Sequence, residues 1–101
     1  MTNVLVSESV ELPILSGILE VNTINYPITI FMKPAPEDNI LTITKVSDDN
    51  NIISLFSENT LINGADIVLF GLPHYAKTKK GKVKTIILKS DGINWHIIKE
   101  Y

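Results

Sequence analysis

The chain has 101 residues, 45% of them apolar and 20% charged, with a formal net charge of −2, which is one domain's length with enough apolar content for a single core. It contains no Cys, so disulfides, thiolate metal sites and a Cys nucleophile are excluded together. The longest apolar run, Ile67 to Phe70, is four residues, far below the roughly 18 of a membrane span, and the first eight residues lack the pattern of a secretory signal.

The residue bias favours strands. There are 16 Ile, 7 Val and 8 Thr against 3 Ala, and branched side chains lose rotamer freedom in a helix but fit a pleated surface. The alternation and its interruptions predict strands at Val4–Val6, Val10–Leu15 (broken by Pro13), Gly17–Val21, Ile28–Met32, Ile40–Val46, Ile52–Phe56, Thr60–Ile62, Ile67–Phe70, Val83–Lys89 and Trp95–Lys99. Short strands at this spacing suit a small antiparallel β-sandwich or a barrel-like module of eight to ten strands. Within Ile28–Met32, Ile28, Ile30 and Met32 share one face while Thr29 and Phe31 share the other; Trp95 and Ile97 likewise oppose His96 and Ile98. Apolar Phe31 and Ile98 on the second faces imply a cover, either another layer or another subunit, and a homo-oligomer is expected.

Turn chemistry separates the strands. The segment Lys33-Pro34-Ala35-Pro36-Glu37-Asp38-Asn39 reads as an exposed loop because two prolines remove backbone donors. Ser47-Asp48-Asp49-Asn50-Asn51 reads as a polar turn, and Asn63-Gly64 as a tight reversal through positive φ. Gly71 to Gly81 is the longest predicted loop. Pro13 and Pro27 mark an edge or a strand start.

Tests for chemistry return little. Residues 1–76 carry 2 Lys and 9 acids, whereas residues 77–101 carry 7 Lys and 2 acids. Lys77, Lys79, Lys80, Lys82 and Lys84 form a basic cluster suited to an acidic protein surface. The chain has no Arg, is acidic overall and interleaves no aromatic among these lysines beyond Tyr75, which argues against nucleic-acid recognition. His74 and His96 lack a metal-ligand spacing, no serine sits in a nucleophile elbow, and the pairs Glu37-Asp38 and Asp48-Asp49 fall in turns. No cofactor, metal or catalytic set is expected. Asp91-Gly92 supplies a reversal, and Trp95 can place its ring in the core while its indole N–H finds an acceptor.

The run from Val83 to Ile98, with Ser90-Asp91-Gly92 followed by Trp95 and a last apolar strand, resembles the closing hairpin of small β-domains in tailed-phage virion proteins. Tyr26-Pro27-Ile28-Thr29-Ile30, Ile40 to Val46 and Thr60-Leu61-Ile62-Asn63-Gly64-Ala65 are similar to the early strand, central strand and Ile-x-Gly turn of the same domains, in the same order. The resemblance covers residues 18–99. It departs at Pro73 to Lys82, a basic insertion, and only 17 residues precede it. It implies a virion structural protein, a capsid auxiliary (decoration) or head-fibre module that trimerises and binds other virion proteins, with a receptor- or glycan-binding tail-fibre module as the alternative. The expected organisation is an N-terminal strand or arm (1–17) followed by one β-domain (18–101), with no enzymatic activity and no membrane or nucleic-acid partner.

Overall fold

In the computed structural model, which describes residues 3–71 and 83–101, the branched runs form nine strands. They are β1 (Asn3–Val6), β2 (Val10–Glu11), β3 (Gly17–Val21), β4 (Ile28–Phe31), β5 (Ile40–Lys45), β6 (Ile53–Phe56), β7 (Ile67–Phe70), β8 (Thr85–Ser90) and β9 (Trp95–Glu100). They lie in a five-stranded sheet, in the order β1-β3-β5-β8-β9, and a four-stranded sheet, in the order β2-β4-β6-β7. The all-β expectation holds; the uniformly antiparallel arrangement does not.

From β1 to β6 the chain changes sheet after every strand, so each strand lies beside the one two places earlier and runs parallel to it. The result is a coil of three turns. Only β6–β7, β5–β8 and β8–β9 pair antiparallel. The physical reason is that connections such as Ser47–Asn51 cross between the sheets instead of folding a strand back on its neighbour. Thr60–Ile62 is not a strand. It forms bridges from Ile62 to Ala65 and to Trp95 across the Asn63-Gly64 reversal, where φ is +54° and +84°.

Parallel register stacks like residues into ladders. Val4, Leu19, Ile43 and Ile86 form one across the inner face of the larger sheet; Val10, Ile30, Leu55 and Val68 form its counterpart on the smaller sheet. These ladders meet as the core, closed by Trp95, Phe70 and Ile62, all fully buried. Residues 3–17 are built into the same two sheets: β1 and β2 make the first turn of the coil, and Leu12 is buried in the same core. The Pro34–Pro36 segment is less exposed than its prolines suggest, because Ala35 is buried and its carbonyl accepts a 2.8 Å hydrogen bond from the Ser90 hydroxyl.

Candidate functional site

The outer face of the four-stranded sheet carries an apolar row. Parallel and antiparallel register align Glu11, Phe31, Phe56 and Ile67 on neighbouring strands, with Leu69 one pleat away beside Ser54. Phe31 and Ile67 are each 46% exposed and Leu69 is 44% exposed. The Phe31 and Phe56 rings meet edge to face, with centroids 6.3 Å apart and planes at 89°, the arrangement favoured by ring quadrupoles. Beyond them opens a groove of about 470 Å³ lined by Glu11, Phe31, Lys33, Phe56, Glu58 and Asn59 among others. Lys33 Nζ lies 3.5 Å from Glu11 Oε1, leaving Glu58 as the net charge of the groove. The combination offers apolar contact area beside acceptors and one amide, which fits a partner surface better than a reaction centre.

A second, shallower depression of about 230 Å³ lies at the closing hairpin, lined by Glu37, Asp38, Lys89, Ser90, Asp91, His96 and Ile98. Asp91 organises it. Its Oδ1 accepts from the backbone N–H groups of Ile93 (2.9 Å) and Asn94 (2.7 Å), and its Oδ2 lies 2.7 Å from His96 Nε2. The Asn94 amide, then the His96 ring and the Ile93 amide, hold the Asp91 carboxyl at about 2. A histidine oriented by a carboxylate needs a nucleophile to form a triad. The hydroxyl that lines the depression among the described residues, Ser90, donates to the Ala35 carbonyl and accepts from the Gly92 N–H, so it is spent on the hairpin. Asp38 and Asp48 each face a lysine, Lys89 at 3.5 Å and Lys84 at 3.7 Å.

The other residues singled out by sequence fall as follows. Trp95 is fully buried, and its indole N–H donates to the Lys33 carbonyl at 2.9 Å. Gly92 occupies φ +97° in the Asp91–Asn94 reversal. The Asn94 side-chain carbonyl accepts the Leu61 N–H at 2.8 Å. Lys84 is exposed beside Asp48, whereas Lys77, Lys79, Lys80, Lys82, His74 and Tyr75 lie outside the described residues.

Sequence reasoning missed a buried ion pair. Lys45 continues the Leu41–Ile43 alternation onto the inner face, and its side chain is 1% exposed. Its ammonium donates to the carbonyls of Asp49 (2.9 Å), Asn51 (2.7 Å) and Gly71 (2.8 Å) and lies 3.1 Å from Asp49 Oδ1. Burial by itself would raise the Asp49 carboxyl, but donors from Ser47, Thr23, Asn51 and Lys45 lower it to about 2. Gly71 (φ +78°) makes room: a Cβ there would sit 3.0 Å from Lys45 Cδ. The strand alternation was the available signal. The arrangement consumes every donor of the ammonium, so its role is structural.

Compared with known proteins, the chain matches no family model, no curated protein and no solved structure.

Proposed function

We propose that the chain is a non-enzymatic structural module of a tailed-phage virion, a capsid auxiliary or head-fibre component, which attaches to another virion protein through the outer face of its four-stranded sheet. The virion assignment, and self-association as a trimer, rest on the resemblance of the closing hairpin and of the three upstream segments. The observation that carries the attachment surface is the aligned row of Phe31, Phe56 and Ile67 with Leu69 beside it. Contiguous exposed apolar residues flanked by charges are the usual mark of a partner surface. The lysines from Lys77 to Lys84 add a basic contact for an acidic neighbour, weak singly and additive in sum.

The test is occupancy on particles that lack the native protein. Replacing Phe31 and Ile67 together with Ser should lower occupancy at least tenfold while the circular dichroism of the free protein stays native. Unchanged occupancy with a native fold removes this face from attachment. Replacing Lys79, Lys80 and Lys82 with Ser should weaken occupancy most at low salt, because screening then matters least.

The second reading, a receptor- or glycan-binding fibre module, is favoured by the groove itself, where an aromatic wall stands beside Glu58 and Asn59. Glycan binding lost on Phe56→Ala, with particle occupancy retained, would establish it in place of the first.

A further inference from the structure

The two ends of the coil are finished differently. At one end Leu61 to Asn63 pairs with β9, the Trp95 N–H donating to the Leu61 carbonyl at 2.8 Å and the Asn63 N–H to the Trp95 carbonyl at 2.7 Å, and the core behind is sealed by Ile62 and Trp95. At the other end the ladders stop short. Leu19, Ile43 and Ile86 are fully buried, but Val4, which heads their ladder, is only half-buried; Val10 stands in the same relation to Ile30 and Leu55. Val6, Ile14 and Leu15 are also half-buried against the core. The first turn therefore leaves an apolar end face.

The backbone at this end is open in both sheets, whereas at the other end the unpaired edge among the described residues is that of β7, with β9 bridged by Ile62. The Val6 carbonyl accepts the Asn22 N–H at 2.9 Å, so in β1 the backbones of Val4 and Val6 address β3 and those of Asn3 and Leu5 point away from the sheet. The Leu12 N–H donates to the Phe31 carbonyl at 2.9 Å, so the intervening Glu11 backbone points away in the same manner. Among the described residues, no strand pairs with either outer edge. The β1 edge carries neither the Pro nor the Lys with which exposed edges are commonly blunted, whereas β2 is only two residues long and is followed by Pro13, so β1 is the more open of the two.

We propose that this end is the docking surface for a second copy of the chain, joined β1 to β1 and β2 to β2 about a two-fold axis perpendicular to the sheets. The choice of occupant follows from there being two open edges. One extended peptide pairs with one strand and leaves the other edge and the apolar end uncovered. An occupant that satisfies both must present two strands at the separation of these two sheets, with apolar side chains between them. The first turn of another copy meets that requirement by construction. A two-fold axis in this position makes both new pairings antiparallel and keeps inner faces inside, so Val4, Val6 and Val10 meet their equivalents in a continuous core. The five-stranded sheet becomes ten-stranded and the four-stranded sheet eight-stranded.

The contact is independent of the virion reading and of the Phe31 face. Combined with threefold association, it gives an assembly with an even number of chains. Sedimentation equilibrium of the full chain should give a dimer, or a hexamer where both contacts form. Leu5→Pro removes an outward N–H and an exposed side chain without breaking a bond to β3, so it should halve the mass or raise the dissociation constant at least tenfold, with native circular dichroism and buried-type Trp95 emission. Replacing Phe31 should leave this contact intact. In the unaltered protein the amides of Leu5 and Glu11 should exchange more slowly as concentration rises, a readout that needs no variant. A monomer up to millimolar concentration, an odd-numbered assembly, amide exchange that ignores concentration, or a folded Leu5→Pro protein of unchanged mass and affinity would each overturn the proposal.

Discussion

Replacing Lys45 with Met tests the buried ion pair directly, because the substitution keeps an unbranched apolar stem and removes the ammonium. Three carbonyls, those of Asp49, Asn51 and Gly71, then lose a charged donor, and the Asp49 carboxylate loses its counter-ion. Hydrogen bonds to charged groups contribute about 1.5–3 kcal/mol each, so three of them set a ceiling of roughly 5–9 kcal/mol. Against this stand the several kcal/mol of ammonium desolvation and part of about 2 kcal/mol of lysine rotamer entropy, both recovered in the variant. The expected loss is about 3–5 kcal/mol, the range typical of breaking a buried pair by removing one partner. Urea unfolding followed by Trp95 fluorescence measures it. Combining Lys45→Met with Asp49→Asn should cost less than the two single losses together, by about 0.5–3 kcal/mol, because the two side chains are in contact. A single-variant loss below about 1 kcal/mol, or strictly additive losses, would refute the reasoning.

The acid limb of stability should carry the same signature: the Asp49 carboxyl is lowered from 3.8 to about 2, so its contribution is complete above pH 4 and disappears as pH falls through 3.8 toward 2. Thermal melts across that window should fall less steeply for Asp49→Asn than for the native chain. Trp95→Ala should cost about 3–5 kcal/mol through the cavity it leaves, and native Trp95 emission should be blue-shifted; a fully solvated emission would contradict its burial. Gly71→Ala should cost about 1–2 kcal/mol because it places a Cβ at φ +78°, and should cost more than that if Lys45 must also shift from its 3.0 Å approach; equal stability of variant and native chain in urea would contradict the packing.

Nine of the ten expected strands were legible because alternation and β-branched bias are local properties: Ile28, Ile30 and Met32 announced a buried face, and Asp91-Gly92 announced the closing reversal. The direction of pairing was not. Ser47–Asn51 has the composition of a hairpin turn, and the same polar residues serve equally well to carry a chain from one sheet to the other. Phe31 could be assigned to an outer face from sequence, but its alignment with Phe56 and Ile67 depends on register between strands that are distant in the chain. Lys45 was legible in principle, since it follows Leu41 and Ile43 at the strand period. A positive charge at the end of a strand is ordinarily solvated, however, and the carbonyls that receive it come from Asp49, Asn51 and Gly71, whose convergence no local pattern encodes.

The coil also dictates an order of events in folding. Because successive strands enter opposite sheets, no strand from β1 to β5 can hydrogen-bond its immediate successor; Val4 waits for Leu19, and Ile28 for Ile53, 25 residues on. The central joint is longer still, with the Thr44 and Thr85 hydroxyls 2.7 Å apart across 41 positions. Each such closure costs chain entropy before its contacts are made, which places the domain among slow, high-contact-order folders. The β8–β9 hairpin, tied by Asp91 and seated on Trp95, is the one reversal that can form early in the five-stranded sheet. Completion then falls to the parallel turns, and within one chain the first turn, whose Val4, Val6 and Val10 are only half-buried, should be the last to gain and the first to lose its protection from exchange.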